Sequence, residues 1–359
     1  MIGHPWRRVG ALGVLQRHHQ HIRTCAPHTA RTFGTLTKRN SDALRILFCG
    51  SDAFSCASLA ALHAEHRRNE ELVESIEVMV QPGKRVGRGF TKLPRGTNLI
   101  VAVSFGLFVP PRILSSARYG GLNVHPSLLP HLRGPAPIHH AYLRGDPFTG
   151  VSLQTLDPRA FDHGTVLAQT PEPGIPIAPG QTFAQLRDEL AARGAEMLVQ
   201  GLRDRVHVPP HEVATGGEGA GGGGLVHAPK MSKADAEVRW AEWRAEDWRR
   251  RMSVFGAAWT RCAVAAAAGQ EKKRVLFTKG GAADAVAGRE EEEERTIRVF
   301  EEGAADGGRE VRVRVDEASG TCYVEDAEGA WVAVERAKLE GEREKDAAAA
   351  LRTLFRDVA

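Results

Sequence analysis

Asn123, His125 and Asp162 are the residues of this 359-residue chain whose types and spacing best fit catalysis. Asn123 and His125 lie in the stretch LNVHPSLLPHLRG, residues 122–134. They alternate at the end of a short apolar run, so in a strand both side chains point to one face. An amide and an imidazole on one face can aim N–H donors at a single developing oxyanion. Asp162 adds a carboxylate from a second segment, followed by His163 and Gly164, a glycine that allows a tight turn. No Ser or Cys nucleophile accompanies the set. This points to direct acyl transfer without a covalent enzyme intermediate, with Asp162 holding His125 protonated or taking a proton from the attacking group.

Such a set must be held by strand ends. Residues 44–49 (LRILFC), 76–80 (IEVMV), 98–105 (NLIVAVSF) and 122–124 are short apolar runs, and residues 55–71 between the first two read as a helix. Apolar strands alternating with helical stretches predict an α/β fold with an open, mostly parallel, Rossmann-like sheet. Ligands bind beyond the carboxyl ends of such strands, where Ser104-Phe105-Gly106 and His125 fall. Gly50-Ser51-Asp52 lacks the G-x-G-x-x-G spacing of a dinucleotide site and reads as a loop at a helix start.

Residues 216–224 (GGEGAGGGG) read as a linker, after which the character changes. Ser232 with Asp235 predicts a capped helix. Trp248, Met252 and Phe255 repeat at helical spacing and are expected to pack in a core. Residues 275–278, 296–300, 311–315, 321–325 and 331–334 read as short antiparallel strands, with a turn at 325–329. They predict a small, OB-like β-barrel. The run of glutamates at 290–294 reads as a solvated loop.

The motifs Asn123, His125, Ser127-Leu128-Leu129-Pro130, Arg133-Gly134, Pro137, Gly150-Val151 and Asp162 with Gly164 together resemble the folate-dependent formyltransferases. The region after the linker, with A-P-K-M-S-K at 228–233 and Leu339-Glu340-Gly341 near the end, is similar to the second domain of the methionyl-tRNA formyltransferases of the mitochondrial type. The resemblance implies 10-formyltetrahydrofolate as donor, initiator Met-tRNA as acceptor, and Asn123, His125 and Asp162 as catalytic residues. It implies that Ser127, Leu128, Leu129 and Pro130 fix the folate loop, mainly through backbone; the two leucines read equally well as core. It places Arg88 of the basic loop 84–89, with Arg85, at the acceptor end of the tRNA. A second basic cluster, Arg249, Arg250, Arg251, Lys272, Lys273 and Arg274, reads as an RNA face or as an ordinary solvated face. The competing functions are another folate-dependent formyltransferase, a sugar-amine formyltransferase, a formyltetrahydrofolate hydrolase, or a catalytically inactive RNA-binding relative. Transfer to Met-tRNA against other amines separates them.

Bulk properties narrow the field. Residues 1–41 carry seven Arg or Lys and no Asp or Glu, the composition of a mitochondrial transit peptide, and imply the matrix. The 48 basic residues of the chain less those seven leave 41 against 44 acidic, so overall charge gives no support for RNA binding and any RNA site must be local. Five scattered cysteines, Cys25, Cys49, Cys56, Cys262 and Cys322, indicate neither a disulfide framework nor a metal site. No apolar run reaches the roughly 20 residues of a membrane span. The expected organisation is a transit peptide at 1–41, a catalytic domain at 42–212, a linker at 213–226 and a tRNA-binding barrel at 227–359, acting as a monomer without metal.

One departure stands out. The resemblance implies a further helix and edge strand between Pro94 and Asn98, where only Arg95, Gly96 and Thr97 stand. We expect a missing coding segment near Arg95 and a bare sheet edge at residues 76–80.

Overall fold

The strand runs of the first half form one sheet. The computed structural model describes residues 40–81, 92–214, 225–266, 269–282, 293–301 and 308–357. Residues 1–39 of the expected transit peptide, the loop with Arg85 and Arg88, and the glycine-rich core of the linker lie outside them. The first elements are β1 (Leu44–Cys49), α1 (Ala53–Arg68), β2 (Val73–Met79), β3 (Leu99–Ala102), α2 (Pro111–Leu114), β4 (Gly121–His125) and α3 (Pro137–Arg144). There follow β5 (Phe148–Thr149), β6 (Ser152–Thr155), β7 (Val166–Gln169), β8 (Ile175–Pro176) and α4 (Phe183–Arg203). The sheet order is β2-β1-β3-β4-β6-β7, parallel from β2 to β4 and antiparallel at β6 and β7.

Alternation along the strands divides the two faces. Leu44, Ile46 and Phe48 of β1 and Leu122 and Val124 of β4 join Leu62 of α1 and Leu186, Leu190 and Leu198 of α4 in one core. Leu47, Cys49, Ile100 and Ala102 face the other way, onto Phe105, Val109 and Ile113. Burying each such leucine or isoleucine is worth roughly 1.5–3 kcal/mol. The sequence pattern above singles out no helix at α4, although Thr182 and Gln185 form a reciprocal capping box at its start. Asp52 caps α1 in the same manner with Ser55, which is what the Gly50-Ser51-Asp52 turn does.

The edge of the sheet follows the expectation from the short connection. Strand β2 pairs with β1 only, among the described residues, and Val78 is 52% exposed. Residues 94–98 form a turn against β1, where Arg45 donates to the Gly96 carbonyl.

The second half forms a closed antiparallel barrel. After α5 (Ala245–Phe255) come β9 (Ala258–Ala266), β10 (Gly269–Ala282), β11 (Glu293–Phe300), β12 (Arg309–Asp316), β13 (Thr321–Glu325) and β14 (Trp331–Leu339). The strands run β10-β9-β11-β12-β13-β14, and β10 pairs back to β14. Closure leaves the long strands no free edge. Short β15 (Lys345–Asp346), α6 (Ala347–Leu351) and β16 (Arg356–Asp357) complete it. Val275, Phe277, Val313, Val324 and Val334 fill the interior. Trp248 of α5 is buried against Trp240 and Phe277, as its spacing implied. Ser232 and Asp235 do make a capping box, but they open a four-residue 3-10 turn, Lys233–Ala236, rather than an α-helix. Residues Asn40–Ala359 form one contact unit, with α5 touching α3, α4 and the barrel.

Candidate active site

Strand β4 presents Leu122 and Val124 to α4, so Asn123 and His125 share the opposite face, as alternation requires. The third residue arrives on the loop between β6 and β7. That loop is closed by Thr155 and Thr165: Thr155 N donates to the Thr165 carbonyl, and Thr165 N donates to Thr155 Oγ1. A Cβ at Gly164 would overlap the Thr155 carbonyl, which is why a glycine stands two residues after the acid. Asp162 itself has φ +58°, a conformation that aspartate tolerates better than most residues.

The three residues converge. His125 Nδ1 lies 3.4 Å from Asp162 Oδ1, with the two side chains 6% and 12% exposed. Asp162 Oδ2 accepts from Gly134 N at 3.0 Å, and its carbonyl accepts from Arg133 Nε at 2.8 Å. The Arg133-Gly134 pair of the motif therefore works as a clamp on the acid. Asn123 Nδ2 donates to the Ala102 carbonyl at 3.0 Å. An amide nitrogen carries two N–H bonds, so the second is left for a ligand, and Asn123 is only half-buried.

His125 differs from its sequence-derived role. Its Nε2 lies 3.0 Å from the Leu132 carbonyl, which can only accept, so Nε2 carries the proton. Burial pushes the imidazole below the ordinary histidine range, against the opposing pull of Asp162. In the neutral ring Nδ1 is then a lone pair facing a carboxylate oxygen. Two acceptors stand together, one proton short of a hydrogen bond. The pair is built to receive a proton, whereas a protonated His125 aimed at an oxyanion would need a nitrogen that Leu132 does not already hold.

The loop after β4 is held from beneath by two side chains that the sequence did not single out. Ser152 Oγ donates to the Ser127 carbonyl and accepts from Leu129 N, at 2.7 and 3.1 Å. Gln169 Nε2 donates to the Leu129 carbonyl at 2.9 Å. Ser127 and Leu129 are buried, and Leu128 lies over Gly150 and Gly174 where any Cβ would crowd it. The leucines are packing residues here. Another unforeseen residue is Gln154. It stands directly across from Asn123 on β6 and is 1% exposed. Beside Asp162, Phe161 is exposed and lies edge-on to Phe108, with ring centroids 5.3 Å apart.

Arg249, Arg250 and Arg251, expected to contact RNA, are paired within the fold. Arg249 pairs with Glu246 and donates to Tyr142 Oη and the Gln181 carbonyl, both 3.2 Å away, so it ties α5 to the α/β half. Arg250 pairs with Glu246 and lies against Gly145. Arg251 pairs with Asp247 and stacks on Trp243 at 4.3 Å. Lys273 sits in the inward-facing row of β10, 3.5 Å from Glu271. The outward row holds Lys272, 4.2 Å over the Phe300 ring, and Arg274, 6.0 Å over Trp259. Both were part of the basic run.

Among the described residues, no group of His, Cys, Asp and Glu could hold a metal ion, and no helix is long and apolar enough to cross a membrane. A shallow groove of about 1190 Å³ runs along α1, α4 and β7, but none of Asn123, His125 or Asp162 lines it. The three side chains meet at the strand ends instead.

Residues 93–202, which hold the whole constellation, match the formyl transferase family. The chain is 30% identical to methionyl-tRNA formyltransferase of Ruegeria pomeroyi, over 61% of this chain and 78% of that protein. The chain belongs to the methionyl-tRNA formyltransferase family. It is also 35% identical to the mitochondrial methionyl-tRNA formyltransferase of Bos taurus, over 56% of this chain and 54% of that one, so it spans about half the length of its mammalian relatives. The corresponding protein of Saccharomyces cerevisiae is 30% identical, over 59% and 68%. Among solved structures, HypX of Aquifex aeolicus in complex with tetrahydrofolic acid shares the fold, with a TM-score of 0.50 over 86% of this chain and 47% of that one, at 17% identity.

Proposed function

We propose that this protein transfers the formyl group of 10-formyltetrahydrofolate to the amino group of initiator methionyl-tRNA, as a monomer in the mitochondrial matrix. The observation that carries the reading is the convergence of Asn123, His125 and Asp162 at the end of β4. The mitochondrial relatives support the compartment, and a structural neighbour crystallised with tetrahydrofolic acid supports a folate donor.

The residues fit such a donor: a half-buried amide with one N–H unassigned stands next to a buried acceptor pair. The folate supplies the formyl group. Asn123 Nδ2 donates to the formyl oxygen as negative charge develops there. The Asp162–His125 pair takes the proton released by the amine, with Nδ1 as the acceptor and the carboxylate stabilising the resulting cation, and the proton passes to the folate nitrogen as its bond to the formyl carbon breaks. Gly134 N and Arg133 hold Asp162 at a set distance throughout. The exposed Phe161 and its partner Phe108 offer an apolar rim for the ligands.

For the tRNA, the reading places Arg85 and Arg88 at the acceptor end. On the barrel it favours the outward Lys272 and Arg274, beside Trp259 and Phe300, over Arg249, Arg250, Arg251 and Lys273. Cations interleaved with aromatic rings suit nucleic acid by charge and stacking together. The test is transfer of labelled formyl from 10-formyltetrahydrofolate to charged initiator tRNA by the full chain. Sugar amines and free glycinamide ribonucleotide serve as competing acceptors. Transfer to one of these and not to Met-tRNA would replace the proposed acceptor. Folate binding without turnover would identify an inactive relative.

A further inference from the structure

We propose that Gln154 is a positioning residue of this site, its amide holding the Asn123 side chain and the Asp162 carboxylate in their working orientations. The proposal rests on the formyl-transfer reading above and names a residue outside the catalytic motif.

Gln154 and Asn123 are register partners on β6 and β4, so their side chains lie on the same face. Gln154 Nε2 donates to Asn123 Oδ1 at 3.0 Å and to Asp162 Oδ1 at 3.2 Å. Both atoms are acceptors. The amide therefore has one permitted orientation, since turning it over would set oxygen against oxygen twice. The Ala102 carbonyl holds the Nδ2 end of Asn123 and Gln154 holds the Oδ1 end, which fixes the plane of the Asn123 amide and the direction of its spare N–H. Gly134 N holds one oxygen of Asp162 and Gln154 the other, which fixes the carboxylate facing His125. One side chain thus sets the oxyanion donor and the proton acceptor relative to each other.

A space-filling role explains the residue poorly. Gln154 Oε1 is buried with no hydrogen-bond partner among the described residues. An orphaned buried acceptor is costly, and a methionine or leucine would occupy the volume without one. The side chain leaves its acceptor unsatisfied and keeps its donor where two acceptors meet.

The test uses the full chain with Gln154→Met, which keeps length and loses the donor. Turnover is expected to fall about ten-fold, with KM for folate and Met-tRNA changed less than two-fold and thermal unfolding still cooperative. A second readout needs no turnover: side-chain NMR of Asn123 and the titration of the His125 ring. His125 faces Asp162 and Arg133. With Asp162 Oδ1 no longer shared, the His125 midpoint is expected to move to higher pH, and the Asn123 amide protons to exchange faster. If Gln154→Met does not fold, Gln154→Glu takes its place, with the same shape but an acceptor in place of the donor, and the same changes are expected. Unchanged Asn123 and His125 signals in a folded variant overturn the proposal, whatever the rate. A wild-type protein unable to formylate Met-tRNA would remove the proposed function, and the NMR readout alone would then decide the role of Gln154.

Discussion

His125 and Asp162 face each other through two atoms that both accept, Nδ1 and Oδ1, 3.4 Å apart. The other ring nitrogen is occupied by the Leu132 carbonyl, so the protein has arranged a vacancy for one proton.

The first prediction follows from that vacancy. The pair works as an acceptor only while His125 is neutral, and burial lowers its protonation below the ordinary histidine range. Activity is therefore expected to persist through the ordinary histidine range and to fall only at more acidic pH, as the ring protonates. His125→Ala and Asp162→Ala are each expected to lose about a hundred-fold or more in turnover while still binding tRNA. Pre-steady-state formyl transfer with a filter-binding control measures both. Near-normal turnover by either variant rules out the mechanism.

Asn123→Ala removes the only oxyanion donor assigned to a side chain. A loss of about a hundred- to a thousand-fold in turnover is expected, with folate affinity nearly kept. A variant that instead loses folate binding at full maximal rate would make Asn123 a binding residue.

Stability should depend on His207. The ring is fully buried, with Nε2 3.0 Å from Ser41 Oγ and Nδ1 unpartnered among the described residues, and burial pushes its pKa from 6.5 down to about 4. Between those two values the unfolded chain binds a proton that the native state refuses, so stability falls as pH falls through that window. The full loss is on the order of 3 kcal/mol and is reached below the folded value. Urea unfolding at pH 7 and pH 4 should show this slope, and His207→Phe should flatten it. An identical slope in the variant would assign the acid sensitivity to other groups.

The two kinds of basic residue should separate by salt. Arg274→Ala is expected to lower the slope of log tRNA affinity against log salt by about one, as expected for one lost phosphate contact. Arg249→Ala is expected to leave that slope unchanged and to lower stability by about 1–3 kcal/mol, because it unties α5 from Tyr142 and the Gln181 carbonyl. The reverse pattern would return Arg249 to the RNA face.

The bare edge at β2 carries a prediction of its own. A transcript with additional codons near Arg95 would supply the helix and strand that the family resemblance implies. If the transcript joins Pro94 to Asn98 as written, the edge stays open, and the protein is expected to self-associate as concentration rises. Val78→Lys, at the 52%-exposed position, should then reduce association in sedimentation without changing turnover. Association unaffected by the charge would place the contact elsewhere.

Local information was enough for much of this protein. Apolar runs located β1, β4 and β13 to within a residue or two, because alternation and burial are imposed strand by strand. The same alternation put Asn123 and His125 on one face, and the spacing of Asp162 and Gly164 marked the second loop. Other features depend on what lies across space. Gln154 is an ordinary glutamine until the β4–β6 register sets it opposite Asn123. His125 could be assigned a protonated, oxyanion-facing role until folding brought the Leu132 carbonyl to its Nε2 and closed protein around the ring. Arg249, Arg250 and Arg251 are a basic run in sequence, but consecutive residues on a helix point in different directions, and the docking of α5 put their charges against carboxylates and rings. Residue type and spacing determined which groups could react; pairing register and packing decided which nitrogen keeps its proton and which cations remain exposed.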